Sequence, residues 1–189
     1  MSLSRFIRLA AGLAVAGLIS AAPAHAEIEK FMRHCDGKLC PFFRASVTVP
    51  EGWVEDAEAT RELGVQMMLP KSHDFEKAPA KIYLLVRYNK DKKPVSAITQ
   101  DTYRDWKNRA KNAKVSKLPE TARANGKPAF ERHQFEAPKL EEQGFETTAL
   151  AADIDKDGNA YVVVVCLSAN TREAFKSAEA AYLSILKAY

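Results

Sequence analysis

The feature that most constrains this chain is Ala160–Leu167, eight successive residues without a charge, which read as a buried strand. Crossing a bilayer as a helix takes about 20 apolar residues, so this run belongs inside a folded domain. Upstream, Phe145–Ile154 is a second extended segment, and Asp155-Lys156-Asp157-Gly158-Asn159 between the two is turn-forming. A strand pair is expected there. Downstream, Thr171 is placed to cap a terminal helix with Glu173 in its first turn, and Phe175, Ala178, Tyr182, Ile185 and Leu186 recur at helical spacing. A terminal helix must bury such a stripe to stay docked, so these side chains are assigned to the core.

The rest of the chain reads as further short strands and one more helix. Ala45–Val49 alternates and is closed by Pro50-Glu51-Gly52 before Trp53; Leu63–Leu69 is a second strand, stopped by Pro70. Ala80–Tyr88, rich in branched and aromatic residues, is a third, ending in the charged turn Asn89–Pro94. Over Ile98–Ala113 the period changes: Tyr103, Trp106, Ala110 and Ala113 fall on one helical face, with Thr99 or Ser96 as the cap. The opposite face carries Arg104, Lys107, Arg109, Lys111 and Lys114, but Asp101 and Asp105 interrupt it, which favours a solvated face over a polyanion site. Asn125-Gly126 predicts a hairpin between Ser116–Ala124 and Pro128–Ala137, and polar Pro138–Gly144 is a loop.

The N-terminus is a separate matter. Arg5 and Arg8, a short apolar core at Leu9–Ile19, and Ala24-His25-Ala26 have the three-zone pattern of a secretory signal peptide over residues 1–26, with cleavage between Ala26 and Glu27. The apolar core is too short for a membrane anchor and Pro23 breaks it. The first cysteine, Cys35, lies too far beyond Ala26 to carry a lipid at the cleavage point. The expected location is therefore the periplasm, without a stable membrane anchor. Removing 26 residues from 189 leaves 163, enough for one ordinary domain. Arg5 and Arg8 leave with the leader, so 28 basic residues become 26 against 24 acidic ones, and the net charge falls from +4 to +2. That balance demands no nucleic-acid partner.

In an oxidising compartment, Cys35 and Cys40, bracketing Asp36-Gly37-Lys38-Leu39, are expected to form a local disulfide within an N-terminal lead-in over residues 27–44. A redox pair, a zinc site or haem attachment would need a C-x-x-C spacing or a second cysteine pair. Cys166, inside the apolar run, reads as an inert buried thiol.

From Ala45 to Tyr189 the order resembles the PsbP and DcrB-like group, which shares a fold with the Mog-type Ran-binding proteins. Four features carry the resemblance: Val47-Thr48-Val49-Pro50-Glu51-Gly52-Trp53 at the start, a mid-chain helix with Trp106, Asn125-Gly126-Lys127-Pro128-Ala129 opening a strand, and a long hairpin followed by a closing helix. The resemblance implies an α+β domain over residues 45–189, an antiparallel β-sheet flanked by helices in an α/β/α sandwich. It also implies a non-enzymatic protein and carries over no binding residue.

Three features bear on chemistry. Asp153-x-Asp155-x-Asp157-Gly158-Asn159 matches the first half of a calcium loop, but Val164 stands where a bidentate glutamate belongs, so an Asp-Gly hairpin turn is favoured and only weak calcium binding is left to it. His34, His73 and His133 have no zinc-site spacing, although His34 beside Cys35 is a metal candidate if the bridge is reduced. No G-x-S-x-G elbow or phosphate-cradling glycine loop occurs. The expectation is a binding or accessory protein of the envelope, with no cofactor, acting on an envelope protein or a small ligand. The alternatives are a small-molecule or calcium binder, and a hydrolase in which His73 or His133 meets a serine and a carboxylate.

Overall fold

The computed structural model describes residues 27–123, 126–140 and 143–189. The expected leader 1–26 with Ala26, Asn125 of the expected turn, and residues 141–142 of the Pro138–Gly144 loop lie outside the described residues. Along the chain come β1 (Glu27–Cys35), β2 (Lys38–Ser46), β3 (Trp53–Glu55), α1 (Ala57–Leu63), β4 (Gln66–Pro70) and β5 (Ala80–Tyr88). They are followed by α2 (Val95–Arg109), β6 (Lys114–Thr121), β7 (Phe130–Glu136), β8 (Phe145–Ile154), β9 (Ala160–Ala169) and α3 (Arg172–Ala188).

The main sheet has the order β3-β4-β5-β9-β8-β7-β6, with every neighbouring pair antiparallel. β9 lies at its centre, and its apolar run is continuous because both faces are covered. Val163, Val165 and Leu167 point into one cluster with Phe175, Ala178, Tyr182, Ile185 and Leu186 of α3. Val162, Val164 and Cys166 point into the other layer, beside Val95 and Ile98 of α2. Trp106 of α2 stacks on Phe135 at 5.0 Å, and Ala59 of α1 packs with Met67 and Leu69. The architecture is α+β: an antiparallel sheet with α3 on one face and α1 and α2 on the other. Among the described residues, no helix is long and apolar enough to cross a membrane.

Local chemistry explains where sequence and structure part. The strand expected at Leu63–Leu69 starts only at Gln66, because residues 57–63 form α1. Asp56 caps that helix by accepting the Ala59 amide at 3.0 Å, and Gly64 ends it in the left-handed conformation at φ 68°. Helix α2 begins three residues earlier than expected, on Pro94, and neither Thr99 nor Ser96 caps it. Of the strand expected at Ala45–Val49, only Ala45 and Ser46 are in a strand, as the end of β2; the chain leaves the strand at Val47, and Ala45 and Val47 both lie in the α3-side core.

The largest difference concerns residues 27–44. Expected as a lead-in, they form most of a nine-pair antiparallel hairpin, β1–β2, that lies against the α3 face of the sheet. The Gln66 amide locks its exit: Val47 N donates to Oε1 at 2.8 Å and Nε2 donates to Val47 O at 2.9 Å. A side chain thus stands in for a strand neighbour.

Candidate functional site

The hairpin turns on Asp36 and Gly37, both with positive φ (48° and 75°), the geometry of a two-residue turn whose twist suits paired strands. Just behind the turn, Cys35 and Cys40 are bridged, with their Cα atoms 6.0 Å apart. Cys166 is the free cysteine, and burial pushes its thiol up to about 12, leaving it unreactive.

Alternation along paired strands sorts the hairpin side chains onto two faces. One face carries Phe31, Arg33, Cys35, Cys40, Phe42 and Arg44. The other carries Ile28, Lys30, Met32 and His34 from β1, opposite Ala45, Phe43, Pro41 and Leu39 from β2. This second face is anchored at its base and free at its tip. Ala45 is in the core, and Phe43 packs against Tyr161 at 5.0 Å and Tyr88 at 5.7 Å. Beyond Phe43, Met32 is 55% exposed and Leu39 60%.

At its base the same face walls a cleft of about 560 Å³, closed on the other sides by Lys127, the β8–β9 turn and Tyr189. All three aspartates of the calcium-like motif line this cleft, but their carboxylates do not converge. Asp155 is spent on its own turn. Its Oδ1 accepts the amides of Asn159 and Asp157 at 2.8 and 2.9 Å, and its Oδ2 accepts the Asn159 side-chain amide at 2.9 Å and the Tyr161 hydroxyl at 3.0 Å. Those bonds, led by the Asn159 side chain, hold its carboxyl below the ordinary aspartate value. Burial and the Asp155 bond together push the Tyr161 hydroxyl up to about 12.

Asp153 serves a different partner. Its Oδ2 takes a guanidinium N–H from Arg123 at 2.5 Å and lies 3.3 Å from Lys127 Nζ. The Arg123 side chain is fully buried, between the rings of Phe130 at 5.2 Å and Tyr189 at 5.0 Å, and donates a second bond to Ala152 O. A buried guanidinium needs a paired carboxylate, and Asp153 is that counter-ion. Of the weak calcium candidates Asp153, Asp155 and Asp157, the first two have carboxylates engaged by protein groups, and among the described residues no three His, Cys, Asp or Glu side chains are grouped to hold a metal ion. Arg123 and Tyr189 come from distant segments, so no local spacing announced them.

The histidines are dispersed. His34 lies on the free hairpin face and His73 is exposed, its Nδ1 3.2 Å from Lys71 O. His133 is buried under α2, with the Tyr103 hydroxyl 2.5 Å from Nδ1 and Glu131 4.0 Å from Nε2. Burial lowers its pKa below the ordinary 6.5, with Glu131 opposing. Among the described residues neither His73 nor His133 makes a hydrogen bond to a serine. On α2, Arg104 pairs with Asp101 at 2.7 Å, Lys107 donates to Ala113 O at 2.6 Å, and Arg109 lies over Trp106 at 4.1 Å. The basic helix face is thus largely engaged in its own structure.

No protein-family model matches the chain, and no curated protein matches it. Among solved structures it is similar to the Ran-binding protein Mog1p of Saccharomyces cerevisiae, with 15% identity, a TM-score of 0.44, and coverage of 82% of this chain and 85% of that one.

Proposed function

We propose that this is a non-enzymatic binding or accessory protein of the bacterial cell envelope, exported to the periplasm, that docks a partner protein through the free face of its bridged hairpin. The supporting observation is where the exposed apolar side chains fall. Six large ones are exposed among the described residues, and four of them, Met32, Leu39, Tyr88 and Ile154, lie on this hairpin face, on the ring stack under it, or at the cleft it walls. Monomer surfaces seldom gather apolar groups this way except where something binds. Lys30, Lys127, Lys156 and Asp157 border the patch, as a polar rim borders an interface core. The Cys35–Cys40 bridge suits the oxidising compartment and reduces the ordering cost of presenting the patch.

The test is capture from periplasmic extract of the native host, comparing wild-type protein with Met32→Glu/Leu39→Glu. The reading expects a discrete partner retained by the wild type and lost by the variant, with the melting temperature little changed because both side chains are more than half exposed. Equal retention by both proteins would remove the hairpin face from the account.

A further inference from the structure

The opposite face of the hairpin walls a second cleft, of about 340 Å³, against α1. Three guanidiniums line it from three separate elements: Arg33 of β1, Arg44 of β2 and Arg61 of α1. Gathering like charges is unfavourable unless something answers them. One is answered: Arg44 Nη2 donates to Glu29 at 2.8 Å. The carboxylate in the cleft itself, Glu55, accepts from the Gln66 amide at 3.0 Å. No carboxylate among the described residues lies within ion-pair distance of Arg33 or Arg61. Arg61, in the last turn of α1, is suitably placed for that helix's negative end. Arg33, arriving from the hairpin, exceeds that need.

The arrangement is also pre-set. The Arg33 guanidinium lies over the Phe42 ring at 5.7 Å, and Phe42 stacks on Phe31 at 6.0 Å, close behind the Cys35–Cys40 bridge. Across the cleft, Arg33 Nη1 lies beside the end of α1: a Cβ added at Gly64 would stand 4.0 Å from it, an ordinary contact. Thr60, buried at the cleft floor, accepts the Met67 amide through Oγ1 at 3.0 Å, which leaves its own proton to give. Planar forks of N–H donors plus a hydroxyl donor suit a tetrahedral oxyanion, which accepts from several directions at once.

We propose that this cleft binds a phosphate-type oxyanion, either as a free phosphate or phosphate ester or as the phosphate of an anionic lipid headgroup. It goes beyond partner docking and does not rest on it, because the two surfaces are opposite faces of one hairpin.

The experiment is an amide NMR titration of the oxidised protein with inorganic phosphate, with sodium chloride holding ionic strength constant. A parallel arm measures co-sedimentation with phosphatidylglycerol and with phosphatidylcholine vesicles. Expected are saturable shifts at Arg33, Arg44, Arg61 and Gly64 or selective sedimentation with phosphatidylglycerol, and the active arm identifies the source. Arg33→Gln or Arg61→Gln should weaken the response about tenfold each, the loss that one charge-assisted contact represents. Lys117→Gln, which removes the same charge at the far sheet edge, should leave it intact, as should Met32→Glu/Leu39→Glu. Silence in both arms, or equal weakening by Lys117→Gln, overturns the proposal; loss in the Met32/Leu39 variant would overturn its independence from docking.

Discussion

Replacing Asp153 by alanine separates the two roles this residue has been given. In the structure it is the counter-ion of Arg123, whose side chain is fully buried while that of Asp153 is 7% exposed. Removing one partner of a buried ion pair costs about 3–5 kcal/mol, because a charge is left buried without compensation. Arg123 would keep its bond to Ala152 O and its contacts with Phe130 and Tyr189, so the low end applies, about 3 kcal/mol. For a chain of this size each kcal/mol moves the melting temperature by about 2–4 °C, so a fall of about 6–12 °C is expected. Arg123→Met combined with Asp153→Leu should recover most of it, since a buried pair replaced by apolar groups is often neutral. Calorimetry in a chelator, repeated in calcium, is the assay. An Asp153→Ala protein within about 0.5 kcal/mol of wild type in chelator, but lacking a calcium stabilisation that wild type shows, would refute the reasoning and restore the calcium loop.

Further outcomes follow from other parts of the fold. His133 has a folded pKa below its unfolded one, so its contribution is present above about pH 7 and declines as pH falls below about 6.5, where the unfolded chain takes the proton first. His133→Phe should flatten that slope in denaturant melts at about pH 7.5 and 5.5. Gly144→Ala should cost about 1–3 kcal/mol, because its Cβ would stand 2.9 Å from Ala137 O, a backbone atom held by a bond from Leu140 N. Cys35→Ser/Cys40→Ser should lower stability by about 2 kcal/mol, the closure entropy of so short a loop. Native protein should show by intact mass a chain starting at Glu27 with Cys35 and Cys40 oxidised; Met1 retained, or free thiols at both positions, would contradict export.

How much of this was legible depended on whether a segment's partners are near in sequence. Strands β5, β8 and β9 and helix α3 were readable because each carries its own signal: β9 is apolar on both faces, and Thr171 caps α3 by accepting the Ala174 amide at 3.1 Å. Helix α1 was not, since seven residues give no stable period and Leu63–Leu69 looks extended across a glycine that ends the helix. The hairpin was half visible. Asp36-Gly37 between two cysteines marks the turn, but apolar Met32 and Leu39 beside it are exposed in the fold, so the flanking residues give no clean inward alternation and read only as a lead-in. The acidic motif reads as a hairpin turn, but the work of its first aspartate was hidden for a related reason. Asp153 is near the end of β8 and Asp155 is in the turn just beyond it, and only the fold brings Arg123 from the β6–β7 connection to claim the first of them.

The most direct test of the account is site-specific photo-crosslinking in the periplasm of living cells. A photoreactive residue is placed at Leu39 on the hairpin face and, in a separate protein, at Ser184 on the solvent side of α3. The account predicts one discrete adduct from position 39, reduced when Met32 is also changed to glutamate, and none from position 184. Identical adducts from both positions, or none from position 39, would contradict it.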